Sequence, residues 1–570
     1  MITLIRRWGA ASTGARTVAL IAVAYLLTLS MVERDGLWQS DNENKLLQVQ
    51  AILHSGGHDF SLPWPGKALD PKFDYNPIPF PFSHVEDGKL YSVFSPVFAL
   101  VSAVPYALLG QLGLYVLPLV ASLVMLVGVG RLAHRISGAG PVGASSSAAR
   151  HVAMVLAGLG SPIWFYSVTF WEHTIAVCLC VWSLCFLVQH MDRGGRASLA
   201  SAAVLAALGV YFRDELYIFC LLICAMAAYF GTGQRLRTGA EATCMTVLAL
   251  VPLWLFQWHA IGHPFGFHLG AHLLTVDGVL DHLVTRPQLL FNMLVSSTPY
   301  PLISFLLIVP FAATLVWRPT GVEDRRVLRI ALAALVSAGI SLSGYLYFDS
   351  PIWYMLHAAN SLFAVAPFIV LGLLRWQRDD SGEARVRNCV WLAMVGFALL
   401  YVLAAPPYGS RGIHWGNRYL LLMYVLAAAL AAGPIVEAFA AGSRRRGGLH
   451  AIIVGLIGLS FGAQLYSLHV LDNKKELSLR FNEAVGQRPE TVIVSTVRWA
   501  PQMLFASFYD KSVFYASSPA SLARLTRALR AAGERQFLLV TSEVDARPQS
   551  VPLRDEELGF FSLALSAGRL

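Results

Sequence analysis

Apolar runs of about 20 residues, each long enough to cross the hydrocarbon core of a bilayer as a helix, recur along nearly the whole 570-residue chain. In hydrocarbon every backbone N–H and C=O must find its partner within the protein, so such a chain folds as a bundle of helices. The charge census agrees, because only 14% of the residues are charged against about 25% in a soluble domain. A net charge of +9 would suit a polyanion. The basic residues, however, sit in short loops between apolar runs: Arg131/Arg135/Arg150, Arg193/Arg196, Arg235/Arg237, Arg325/Arg326/Arg329, Arg375/Arg378/Arg385/Arg387 and Arg444/Arg445/Arg446. That is the positive-inside pattern. The excess charge reports topology, and no nucleic-acid partner is expected.

With the N-terminus and its Arg6, Arg7 and Arg16 in the cytoplasm, the pattern predicts about thirteen spans. They fall near 17–33, 112–133, 150–168, 171–190, 197–212, 214–231, 241–260, 299–317, 327–348, 354–375, 388–405, 417–441 and 450–470. The apolar stretch 93–109 is read as an interfacial helix on the outer face, since a span there would invert every later Arg-rich loop and it carries Pro96 and Pro105. The first run is an anchor rather than a signal peptide, because Glu33-Arg34-Asp35 follows it and no small-residue cleavage site does. The expected fold is an all-α polytopic membrane domain over 1–471, with a first outer loop over 34–111 that packs on the bundle. A small extracytoplasmic α/β segment is expected over 472–570. Within the loop, 44–53 has apolar residues at helical spacing. In the tail, strands are expected at 491–495 and 536–540 and an amphipathic helix at 521–532. The seven cysteines fall in spans and imply no disulfide framework.

Charged residues at the rim of such a bundle need a reason, since an unpaired buried carboxylate costs several kcal/mol or more. Four clusters are predicted to share the outer face: Asp41-Asn-Glu43-Asn-Lys45, Trp171-Glu172-His173, Arg213-Asp214-Glu215, and Arg411, His414 and Arg418. Each alone is explained by hydration. Together, carboxylates interleaved with arginines on one leaflet predict a shared polar cavity. Arginine grips phosphate through charge-assisted bidentate bonds, and a carboxylate can take the proton of an attacking hydroxyl. This chemistry fits transfer of a sugar from a lipid phosphate to an acceptor outside the cytoplasm. Within the first cluster Asp41 is the expected base; Glu43 and Lys45 are expected to face solvent or to pair with each other.

These residues resemble the GT-C superfamily of integral-membrane glycosyltransferases, most of all its protein O-mannosyltransferase and lipid A aminoarabinose transferase branch. The likeness rests on Asp41 just after the first span and on Glu172 in the loop after the third. It also rests on Arg213-Asp-Glu215, on Gly416-Asn-Arg418-Tyr-Leu-Leu, and on Asp87 to Pro96, where the usual Lys-Pro-Pro is reduced to Pro96. The resemblance implies Asp41 as general base in a single inverting displacement. It implies Glu172 as a second catalytic carboxylate, and Arg213, Arg418, His173 and Arg411 as substrate and phosphate contacts. The partners implied are a polyprenyl-phosphate-linked sugar, a glycan, lipid or protein acceptor and the bilayer, in a bacterial plasma membrane with the C-terminus outside.

No cofactor is expected. His259, His263, His268 and His272 have spacings that could ligate zinc, but Pro264 and glycines such as Gly262 and Gly266 break the segment. Two alternatives remain at this stage, an O-antigen ligase or polymerase and a multi-span transporter or flippase. The first places its large outer loop late in the chain, and the second calls for midplane charges and paired broken helices.

Overall fold

The structure, a computed structural model, describes residues 2–138, 144–231, 234–273, 285–294, 361–373, 382–405, 413–440, 447–542, 551–554 and 562–569. The apolar runs become α1 (Ile2–Met31), α2 (Ser40–His54), α3 (Pro96–Leu109), α4 (Gly113–Ile136), α5 (Ala144–Leu159), α6 (Ile163–Ser167) and α7 (His173–Arg193). They continue as α8 (Arg196–Val210), α9 (Tyr217–Phe230), α10 (Arg235–Ile261), α11 (Phe267–Leu273), α12 (Arg286–Leu294), α13 (Leu362–Val365), α14 (Ile369–Leu373), α15 (Gly382–Ala404), α16 (Leu421–Ala440) and α17 (Gly447–Gly486). Gly194 and Gly262 close α7 and α10 in the left-handed conformation, which a residue without Cβ adopts at least cost.

Seven helices among the described residues are long and apolar enough to cross a membrane, not thirteen. The difference has two sources. The expected spans at 299–317 and 327–348 lie outside the described residues, and of 354–375 the described part, 361–373, forms only the short α13 and α14. In addition, the runs expected at 150–168, 197–212 and 214–231 form α5, α8 and α9, of 16, 15 and 14 residues. At 1.5 Å per residue these cover about 21–24 Å, short of the ~30 Å hydrocarbon core. The stretch expected to be interfacial is α3, separated from α4 by a break at Gly110, whose φ is +59°.

α4, α5, α7 and α16 pack together at the centre, with α8 against α7 and α10, and α9 against α10 and α15. α16 is buried along almost its whole length. Because α7 begins at His173 and ends at Arg193, and α8 begins at Arg196 and ends just before Arg213, the two ends of the bundle differ in kind. Arg131, Arg135, Arg193, Arg196, Arg235 and Arg237 mark one end. Glu172, Arg213 and Arg418 mark the other.

α17 spans 40 residues, about 60 Å, and runs without a break through the position where the last span was expected to end. It delivers the chain to a five-stranded sheet, separate from the short hairpin of β1 (Ser83–Glu86) and β2 (Lys89–Ser92) in the first loop. The larger sheet contains β3 (Val492–Ser495), β4 (Ser512–Tyr515), β5 (Gln536–Thr541), β6 (Val551–Arg554) and β7 (Ser562–Arg569) in the order β4-β3-β5-β7-β6. β3 pairs in parallel with β4 and β5, and β7 pairs antiparallel with β5 and β6. The amphipathic run becomes α18 (Pro519–Ala531), started by a capping box at Ser518 and Ser521.

The first loop packs on this sheet as well as on the bundle. Leu46, Leu47, Ile52 and Trp64 share one apolar core with Phe98, Val494, Phe514 and Leu529. Trp64 Nε1 donates to Val513 O at 2.8 Å, and Tyr509 Oη donates to Leu47 O at 2.7 Å. α2 is thereby enclosed on all sides. Gly36, just before it, lies so close to α17 that a Cβ there would sit 1.7 Å from Lys475 O. Gly36→Ala is therefore expected to cost about 1–3 kcal/mol through overpacking, read as a fall in the thermal midpoint of the detergent-purified protein. An unchanged midpoint would mean that α17 yields freely at this point.

Candidate active site

Asp41 and Lys45 are one helical turn apart on α2, so both project from the same face. That face meets the start of α7, the turn after α8 and the start of α16. Arg418 Nη1 donates to Asp41 Oδ2 at 2.7 Å, and its Nη2 donates to Tyr419 Oη at 3.0 Å. Lys45 Nζ lies 2.9 Å from Glu172 Oε2 and donates to Oε1 at 3.1 Å. Arg213 Nη1 donates to the same Oε1 at 3.0 Å, and its Nε donates to Glu215 Oε1 at 2.8 Å. Asp41, Glu172, Arg213 and Arg418, expected from the sequence to share a cavity, thus form two adjacent ion-pair groups.

Aromatic rings wall the charges. The Arg418 guanidinium carbon lies 5.1 Å from the Trp171 ring and 5.0 Å from that of Tyr419, while Arg213 faces Tyr419 at 5.5 Å. Lys45 Nζ sits 4.1 Å from the Phe94 ring. Such faces attract cations when water is excluded. Two buried guanidinium donors, Arg418 Nε and Arg213 Nη2, have no hydrogen-bond partner among the described residues. An unmet buried donor costs about 1–3 kcal/mol, so both are free to bind an anion.

Burial works to raise the Asp41 carboxyl pKa, but Arg418 and Lys45 outweigh it and hold the group below its ordinary value. Glu172 is likewise lowered, burial being overcome by Lys45 and Arg213. Burial lowers Lys45 despite the opposing pull of Glu172. Glu215 moves the other way: burial raises it more than Arg213 lowers it. Asp41 and Glu172 are therefore both ionised at neutral pH and compensated by cations.

Two sequence expectations fail here. Glu43 and Lys45 neither face solvent nor pair with each other; they are 0% and 2% exposed. Two residues apart on a helix, they point to different sides, and both sides of α2 are covered. Lys45 joins Glu172, and Ser478 Oγ of α17 donates to Glu43 Oε1 at 2.6 Å. The spacing Asp41 to Lys45 was the available clue that Lys45 belongs to the site. His173 is buried with its ring 4.9 Å from Trp171 and 5.3 Å from Tyr166. Arg411 lies outside the described residues.

Of the histidine series, His268 lines a small pocket beside Lys45, Phe94, Glu172 and Arg213 with about 30 Å³ of free space. Its Nδ1 lies 2.8 Å from Asp214 Oδ2. No cluster of three or more metal-ligating side chains occurs among the described residues, and the side chain of His272 lies outside them.

No protein-family model and no curated protein matches the chain. Among solved structures it is similar to the Archaeoglobus fulgidus oligosaccharyltransferase in complex with zinc and sulfate, at 11% identity and a TM-score of 0.42, over 92% of this chain and 68% of that one. It is also similar to ArnT from Cupriavidus metallidurans bound to undecaprenyl phosphate, at 13% identity and a TM-score of 0.39, over 97% of both chains. The apo state of the same ArnT gives 13% and 0.39 over 98% of both. Likeness at this level transfers neither an activity nor a residue's role.

The buried Glu43 carboxyl yields a pH test. Burial pushes it up to about 8, the Ser478 hydroxyl and Lys474 countering only in part. With an ordinary value of 4.5 in the unfolded chain, the folded state holds more protons between those two values. Stability from this group is complete below the unfolded pKa and is lost as the pH rises through about 8. Glu43→Gln should match the wild type in thermal midpoint near pH 5 and exceed it increasingly toward pH 8 to 9. A variant that loses stability at the higher pH instead would show that Glu43 acts as a buried anion.

Proposed function

We propose that this protein is a GT-C-type glycosyltransferase that moves a sugar from a polyprenyl-phosphate donor to an acceptor hydroxyl on the outer face of a bacterial plasma membrane. The observation that carries the reading is the Asp41–Arg418 pair beside the Lys45–Glu172–Arg213 group. This arrangement joins a potential base to three cations and includes two unused guanidinium donors. Motif order adds to it, since Asp41, Glu172, Arg213-Asp-Glu215 and Gly416-Asn-Arg418 follow the pattern of that superfamily. Envelope glycans, lipids and proteins are the acceptor classes that suit the compartment.

In this mechanism the acceptor O–H gives its proton to an Asp41 oxygen as the acceptor oxygen attacks the anomeric carbon. The bond from that carbon to the phosphate oxygen breaks on the opposite face, and its electron pair leaves with the lipid phosphate. Configuration inverts. Arg418 and Arg213 meet the developing phosphate charge through their open N–H groups, where a fixed cation in a dry site acts most strongly. Glu172 holds Lys45 and Arg213 in place. The Asp41–Arg418 pair also sets an order of events. While paired, Asp41 is ionised but a poor base. When Arg418 turns to the phosphate, Asp41 keeps its burial and loses a compensating cation, so it becomes a stronger base as the donor seats.

Asp41→Asn is expected to lower transfer about 10²–10⁴-fold, the usual worth of general base catalysis, with expression and membrane insertion unchanged. The measurement is transfer of labelled sugar from a panel of polyprenyl-phosphate sugars by purified membranes. Full activity in this variant would sink the proposal. Arg418→Lys keeps the charge but loses the forked geometry, and should lower kcat more than it raises KM for the donor.

A further inference from the structure

We propose that an arginine-lined cavity at the opposite end of the bundle binds the phosphate headgroup of an anionic membrane lipid. α7 carries Glu172 at its start and Asp192 and Arg193 at its finish, about 30 Å away at 1.5 Å per residue. The cavity is therefore separate from the carboxylate site. It measures about 470 Å³ between α4, α5 and α7, and Arg131, Arg135, Arg150, Arg193, Trp182 and Phe186 line it. The one carboxylate in its wall, Asp192, is engaged by Arg135.

Two of these arginines do more than report topology, one by stacking on an aromatic ring and the other by burying part of its guanidinium. The Arg131 guanidinium is stacked 4.6 Å from the Trp182 ring. Arg150 Nε is buried with no hydrogen-bond partner among the described residues. No ion pair engages Arg131, Arg150 or Arg193 among those residues either. The result is a cationic recess with a buried, unmet guanidinium donor at Arg150, a setting in which forked N–H pairs hold phosphate well.

A lipid fits better than a free phosphate because an exposed apolar strip adjoins Trp182 in the wall of the recess. Val120 and Val124 of α4, eleven and seven residues before Arg131 and so on its face, are 49% and 45% exposed. Trp182 Nε1 donates to Val124 O at 3.1 Å, which fixes the indole between the strip and the guanidinium. An acyl chain laid along the two valines places its headgroup at Arg131, with the tryptophan at the interface between them. Basic pockets between helices on the basic side of a membrane protein attract such headgroups.

The test uses the full-length protein, purified in detergent and stripped of lipid, with retention measured by native mass spectrometry. Phosphatidylglycerol should be retained about tenfold over phosphatidylcholine of the same chain length, a difference of ~1.4 kcal/mol. Arg131→Gln/Arg150→Gln should abolish the preference, while Arg235→Gln/Arg237→Gln, which removes the same charge from the neighbouring loop, should keep it. If the first pair disturbs folding, Arg131→Gln/Arg193→Gln, on two exposed side chains, replaces it. Trp182→Ala should weaken retention of the lipid but not binding of inorganic phosphate. Equal retention of the two lipids, or equal loss in both arginine pairs, would overturn the proposal. Displacement of the lipid by an equal concentration of glycerol phosphate would assign the recess to a free anion and overturn it equally.

Discussion

Glu172 accepts Lys45 from α2 and Arg213 from the turn after α8 at the head of α7, and the outer end of the bundle is organised around that three-way contact. Removing a carboxylate and two cations from water costs several kcal/mol per ion before their attraction is counted. Such a group is therefore a poor source of stability and a strict selector of geometry. If α2 slid by one residue, Lys45 would leave Glu172 and Asp41 would leave Arg418 together. The two pairs act as one lock on the register of α2, because their α2 members are a single turn apart.

A second contact holds the other side of that helix. Glu43 meets Ser478 on the extension of α17, and Asn42 Nδ2 donates to Phe170 O at 2.7 Å. α2 is thus bound to the bundle through its charges and to the C-terminal segment through a protonated carboxyl and an apolar seam. The long α17 links the two, since it packs in the bundle at one end and supplies Ser478 and Lys475 at the other. The C-terminal sheet is in this way part of what positions Asp41, although it contributes no charge to the site.

Much of this was legible in the residues. Asp41, Glu172, Arg213 and Arg418 were found by asking which charges would share one face of a bundle, and the structure joins all four. Lys45 was missed because charge spacing along the chain was read as loop chemistry, whereas the helix starts at Ser40 and converts a spacing of four into one face. The burial of Glu43 was illegible for another reason. It depends on a partner 435 residues away, and no local pattern encodes the path of α17. The number of spans was misjudged on α5, α8 and α9, whose sequences are apolar enough but whose helices are cut short by turns such as Gly194-Gly195 and Tyr211-Phe212.

The small free volume beside Lys45 places a physical condition on how the site works. A space of about 30 Å³ admits a water, for which about 10–15 Å³ of such space suffices, but not a hexose. For a sugar phosphate to enter, the side chains that now meet each other must turn to it. The cations make this feasible, because a phosphate offers Arg418 and Arg213 the oxygen acceptors that Asp41 and Glu172 offer them now. Exchange of one anion for another keeps each arginine paired and avoids the several kcal/mol of leaving a cation bare in a dry site, while the carboxylate that gives up its arginine becomes the stronger base. A neutral ligand offers no such exchange. Under the proposed glycosyl transfer, the ion pairs that close the resting site therefore also select for an anionic donor.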